Sequence, residues 1–173
     1  MIMKIIGSIV VCASSSLIGF YFANADGFRI NELNEWKRAL LILRSEIAFT
    51  RSPLAEAAET ISTRVGKPVN AIFKELASSL SQRAGNDTFE IWESTISVKH
   101  KSSYLCREDW QCLKDFGKTL GNLDKSMQLS AIDQTISYID LKTITVRVSD
   151  EKNKKLYGSL GILGGLLIVV ILL

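Results

Sequence analysis

A chain of 173 residues is enough for one ordinary domain, and its 21 basic and 18 acidic side chains leave a formal net charge of +3. Charges balanced this closely exclude the large basic excess that nucleic-acid binding demands. Hydrophobic residues make up 47% of the chain, but they are gathered at its two ends, so the average hides the organisation.

Residues 5–25 carry no charged side chain. At 1.5 Å per residue this run is long enough to cross a hydrocarbon core of ~30 Å. The reading is a transmembrane helix over 1–25, with Phe20, Tyr21 and Phe22 as interfacial aromatics. A cleaved secretory signal is the competing reading, because Lys4 gives a basic start and Ala23-Asn24-Ala25 has a small-x-small form.

A charged domain follows over 26–155, and the spacing of its apolar residues predicts helices throughout. Leu33, Trp36, Leu40, Leu43 and Ile47 mark one face of a helix from about Asn31 to Thr50. Ser52 is placed to cap a second helix with Pro53 in its first position and Leu54, Ala57, Ala58 and Ile61 buried. Gly66 closes it, and Pro68 opens a third with Val69, Ile72, Phe73 and Leu76 on one side. Asp87 and Glu90 have capping-box spacing ahead of a fourth helix that buries Phe89, Trp92 and Ile96, with Ile91 beside them.

A fifth helix, from about Arg107 to Leu120, uses Trp110, Leu113, Phe116 and Leu120 and ends at Gly121; Gly117 lies awkwardly inside it. The acid pair Glu108 and Asp109 falls in its first turn, where the helix dipole accounts for both. From Asp124 a sixth helix carries Met127, Leu129, Ile132, Ile136, Ile139 and Ile144 and runs into a second uncharged segment, 156–173, read as another transmembrane helix. In that segment Gly158, Gly161, Gly164 and Gly165 form a small-residue face suited to close packing, on the first span or on another subunit. The fold class is therefore all-α, a bundle of about six helices with a membrane helix at each end.

Arg29, Lys37 and Arg38 follow the first span, and Lys152, Lys154 and Lys155 precede the second, which puts the domain on the cytoplasmic side by the positive-inside rule. Cys12, Cys106 and Cys112 do not form a framework; Cys106 and Cys112, six apart on one helix, point about 120° apart, so free thiols are expected. No phosphate loop, dinucleotide fingerprint, nucleophile elbow or zinc-ligand pair occurs. The expectation is a non-enzyme with no catalytic residue, cofactor or metal. The rival from another class is a membrane-tethered enzyme using Glu46, His100 or Asp109 at a helix junction; an exported domain held by its C-terminal span is a third reading.

Local motifs add a resemblance. Pro53-Leu54-Ala55-Glu56-Ala57 after the first long helix, Trp92 in the fourth, Leu120-Gly121 with Asp124 and Gln128 before the last, and the terminal segment from Lys155 occur in order along the chain. In this layout the chain resembles the stage III sporulation protein AB family of spore-forming bacteria. The resemblance implies a component of the channel complex between mother cell and forespore, with a cytoplasmic domain similar to the F-type platform protein of type II secretion systems. It further implies a cytoplasmic sporulation ATPase and other channel subunits as partners. Platform proteins usually carry two such domains and three spans, whereas one domain and two spans are read here, so subunit number stays open, homo-oligomers included.

Overall fold

Residues that repeat every three or four positions bury one side of a helix, and such stretches order the described residues into six α-helices. The computed structural model describes the backbone except at residues 1, 51–52, 83–86, 100–102, 121–123 and 173, and describes no side chains for 2–13, 15–23, 99 and 151–172. The elements are α1 (Ile2–Ser45), a π-helical turn (Glu46–Thr50), α2 (Leu54–Arg64), α3 (Val69–Gln82), α4 (Thr88–Lys99), α5 (Arg107–Gly117) and α6 (Lys125–Leu172). Six α-helices and no strand among the described residues agree with the all-α expectation.

The chain divides into two units, Arg29–Thr143 and a second comprising Met1–Phe28 with Ile144–Leu173. Among the described residues no helix is long and apolar enough to cross a membrane. Most of the two expected spans, 1–25 and 156–173, lies outside the residues whose side chains are described. Gly158, Gly161, Gly164 and Gly165 are among them.

Within the unit Arg29–Thr143, the core is built round Trp36 of α1, which is fully buried. Its ring centroid lies 5.7 Å from Phe73 of α3, 6.2 Å from Trp92 of α4 and 6.2 Å from Trp110 of α5, and Trp92 stands edge-on to Phe116 at 5.6 Å. Tilted and edge-to-face pairs of this kind contribute about 0.5–1.5 kcal/mol each beyond the area they bury. The three tryptophans are thus core residues, as their apolar faces suggested. Trp92 also donates its indole N–H to the Leu113 carbonyl at 2.9 Å, which joins α4 to α5.

Several boundaries differ from the sequence reading for identifiable reasons. Because no proline occurs before Pro53, nothing stops α1 short of the N-terminal segment, and it begins at Ile2 rather than near Asn31. Pro53 stands at the cap of α2 instead of its first turn: its carbonyl accepts the amides of Glu56 (3.0 Å) and Ala57 (3.1 Å), while Ser52 lies outside the described residues. Leu54 is half-buried against the core, whereas Ala57, Ala58 and Ile61 are buried as expected. In α4 the phase favours Ile91, which is buried, over Phe89, which is half-buried, and Asp87 caps through the Phe89 amide at 3.0 Å, one position short of a capping box.

The helix α5 stops at Gly117 and gives way to a turn over 118–120 that still buries Leu120. Gly66, after α2, is held by Glu35 of α1, whose carboxylate accepts the Gly66 amide at 2.5 Å. In α6, Ile132 and Ile139 are buried, with Ile136 packed alongside. Met127 and Ile144 are exposed, contrary to expectation. Each lies five residues from a buried isoleucine, which is about 140° round the axis, so both face away from the core.

Candidate functional site

Two features of the unit Arg29–Thr143 gather the residues that carry chemistry: a buried polar node beside the core and an exposed tip at the far end of α1. The node is centred on Asp109, whose side chain is 1% exposed. Its position in the first turn of α5 lets the carboxylate reach back to the Cys106 amide at 3.1 Å. Arg29 of α1 donates Nε to Asp109 Oδ2 at 2.9 Å, with Nη2 2.8 Å from the same oxygen, and Tyr138 of α6 donates its hydroxyl to Oδ1 at 3.3 Å. One carboxylate therefore ties three helices together. The dipole argument for Asp109 thus missed its main role.

Glu32, one turn beyond Arg29 on α1, is also buried. It accepts the Ser103 hydroxyl at 2.6 Å and the Tyr104 amide at 2.8 Å, pinning the segment before α5 to α1. Burial pushes its carboxyl above the ordinary value of 4.5, against the pull of those two donors. The folded state therefore holds a proton on Glu32 more readily than the unfolded chain does. Its contribution is fully favourable below pH 4.5 and is lost as pH rises through the raised value. Replacing Glu32 with glutamine removes the ionisation and keeps an acceptor, so the melting temperature of the variant relative to the parent should be higher at pH 7 than at pH 5. A gap that does not change between those pH values, measured by circular dichroism in detergent, would contradict this.

The node's thiols are free and half-buried. Arg29 Nη2 donates to Cys106 Sγ at 3.0 Å. Burial, helped by Asp109 and Asp115, pushes the Cys112 thiol up to about 11, which leaves little thiolate near neutral pH. Tyr138 is likewise raised, first by burial and then by Asp109, so it remains a neutral donor. Among the described residues no three His, Cys, Asp or Glu side chains converge as metal ligands would.

Of the residues named for the rival enzyme, Asp109 is enclosed by Arg29, Tyr138 and the Cys106 amide. Glu46 lies 17 residues along from Arg29, roughly 25 Å at 1.5 Å per residue, and His100 is outside the described residues. Glu46 and Asp109 therefore do not share a site.

The family-motif residues divide between packing and capping. Trp92 and Leu120 are buried and Leu54 packs on the core. Asp124 caps α6, accepting the Met127 amide at 2.9 Å and the Ser126 hydroxyl at 3.0 Å; the backbone bond from Met127 is the main reason its carboxyl titrates low. The Asp124 carbonyl accepts the Gln128 amide at 3.0 Å. Pro53 and Glu56 are exposed at the start of α2, and Gly121 lies outside the described residues.

The tip is formed where α1 ends and α6 begins. Lys125 Nζ donates to the Ala48 carbonyl at 2.6 Å, holding the first turn of α6 against the π-helical turn. Phe49 in that turn is 83% exposed, and Met127 on α6 is 54% exposed. Lys125 and Ala48 are thus brought together although 77 positions separate them. Elsewhere, a groove of about 350 Å³ between α2 and α3 is lined by Ala55, Glu56, Glu59 and Lys74 with small residues of α3.

In architecture this is an all-helical bundle of a kind already solved. A structure titled stage III sporulation protein AB matches it with a TM-score of 0.67 at 22% identity, over 72% of this chain and 97% of the other, a likeness of fold. The chain belongs to the stage III sporulation protein AB family, whose model matches residues 4–173. The Bacillus subtilis protein called stage III sporulation protein AB is 26% identical over 172 residues, covering 99% of each chain.

Proposed function

We propose that the chain is a non-catalytic platform component of the sporulation channel complex linking mother cell and forespore. In this reading the helices at 1–25 and 156–173 cross the membrane, the domain over 26–155 lies in the cytoplasm, and the protein sits on the mother-cell side of the outer forespore membrane. The domain meets a cytoplasmic ATPase and passes its motion to other channel subunits or further copies of the chain. The observation that carries this is the match to a sporulation family over nearly the whole chain, uncharged ends included. A second support is the way polar chemistry is used: the buried carboxylate of Asp109 joins three helices, and that of Glu32 pins the segment before α5 to α1.

The test is purification of the full chain in mild detergent from sporulating cells. Channel subunits and an ATPase should accompany it, and replacing Gly161 and Gly165 with leucine should reduce the accompanying membrane subunits at least tenfold while the domain's circular dichroism stays unchanged, since small residues let helices approach closely in lipid. A parent chain that brings down neither class of protein would overturn the reading.

A further inference from the structure

We propose that residues 103–106, between α4 and α5, are a proton-operated strap. It closes on α1 as Glu32 takes up a proton, and it opens on its own, before the bundle unfolds, as pH rises. Three consecutive amides of this segment donate to side chains: Tyr104 to Glu32 Oε2 at 2.8 Å, Leu105 to Ser103 Oγ at 3.0 Å and Cys106 to Asp109 Oδ2 at 3.1 Å. Ser103 in turn donates its hydroxyl to Glu32 Oε1 at 2.6 Å. Two carboxylates, Glu32 on α1 and Asp109 on α5, thus hold all three amides directly or at one remove. The strap's apolar hold on the core is Leu105, 7% exposed, while Tyr104 beside it is 45% exposed. A stretch fastened by side chains and one apolar residue opens locally at a lower free energy than global unfolding requires.

The two fasteners are unequal. Asp109 has a guanidinium partner, with Arg29 Nη2 2.8 Å from its Oδ2. Glu32 is equally buried, yet its donors Ser103 and Tyr104 are neutral, and among the described residues no lysine or arginine pairs with it. Arg29, one turn away on the same helix, is occupied by Asp109 and by Cys106 Sγ at 3.0 Å. The node therefore buries two carboxylates against one cation, and Asp109 repels a charge on Glu32. The neighbouring groups do not supply the missing cation: the Tyr138 hydroxyl of α6 bonds to Asp109, the Cys112 thiol of α5 is raised to about 11, and Lys142 of α6 is paired with Glu108 of α5. A proton on Glu32 removes the surplus charge and still leaves its oxygens able to accept. With the strap open, Glu32 is hydrated and titrates at its ordinary 4.5; with the strap closed, burial holds it higher. Closure is therefore fully supported below pH 4.5 and loses that support as pH rises through the raised value.

Hydrogen exchange of the full chain in mild detergent, read residue by residue at pH 5 and pH 7 and corrected for the intrinsic rates, tests the strap. In the parent, the Tyr104 and Leu105 amides should be about tenfold or more less protected than the Leu40 amide of α1, and their protection should fall about threefold or more from pH 5 to pH 7. Glu32→Gln keeps an acceptor without an ionisation and should abolish that pH step. Ser103→Ala removes one fastener but leaves Glu32 ionisable, so it should lower the protection of both amides several-fold at either pH and keep the step. Strap amides that exchange in step with Leu40, no fall with pH in the parent, a step that survives Glu32→Gln, or no effect of Ser103→Ala would each overturn the proposal. Should Glu32→Gln fail to fold, the parent and Ser103→Ala decide.

Discussion

Replacing Gly117 with alanine should destabilise the helical domain by about 3 kcal/mol, at the upper end of what overpacking a core usually costs. A Cβ at this position would lie 2.0 Å from Trp92 Cδ1 and 2.5 Å from its Nε1, and the indole cannot withdraw. It is 1% exposed, packed edge-on against Trp36 and Phe116, and bonded to the Leu113 carbonyl. Relief would cost that bond or shift α5 away from α4. Chemical denaturation of the full chain in detergent measures the loss; a change under 1 kcal/mol would mean that the two helices are not in this close contact. Gly117 thus serves α5 by lacking a side chain where an indole passes.

Asp109→Ala should cost about 3–5 kcal/mol, the range for breaking a buried ion pair by removing one partner. The variant leaves the Arg29 guanidinium, 19% exposed, without its carboxylate, and releases the Cys106 amide and the Tyr138 hydroxyl. Removing both charges together, as Arg29→Met with Asp109→Leu, should recover most of the loss, because the desolvation of an unpaired ion is what dominates the single change. If the double variant is as unstable as Asp109→Ala, the node's importance lies in the neutral bonds to Cys106 and Tyr138 instead. The exposed pair Arg44–Asp133 and the half-buried pair Lys37–Asp140 should matter less, since solvent and salt screen them, the first most.

The helices and most of the core could be read from periodicity. Trp36, Phe73, Trp92 and Leu113 each fall on the apolar face of their own helix, and burial of large apolar side chains is strong enough for that spacing to decide their side. Periodicity was weakest in α6, where the buried phase runs through Thr135 and Thr143 as well as Ile132 and Ile139. Thr135 can be buried because its hydroxyl bonds back to the Ala131 carbonyl at 2.9 Å, a solution that a hydrophobic pattern does not register. Meanwhile Met127 and Ile144 read as core and are exposed.

The polar node was legible only in part. Asp109 has a sufficient local explanation at the start of α5, and that explanation conceals a partner 80 positions away, Arg29. Glu32 lies between apolar Ile30 and Leu33 on the buried side of α1, yet glutamate is ordinarily solvated, and nothing local announces Ser103 and Tyr104 as its donors. Phe49 was passed over because it falls outside the apolar spacing of α1, about 180° round the axis from Leu40, and it is exposed on the π-helical turn.

The proposed function requires the charged bundle to lie on the cytoplasmic side of a membrane held by the chain's uncharged ends. The native thiols are poor reporters of this, since Cys106 is bonded to Arg29 and Cys112 is half-buried and raised to about 11. Ser78, exposed on α3, is a better site. Ser78→Cys in the full chain, treated with a membrane-impermeant maleimide and read against the unsubstituted chain, should label in inverted membrane vesicles and stay unlabelled in intact cells. Labelling in intact cells would place the bundle outside and contradict the account.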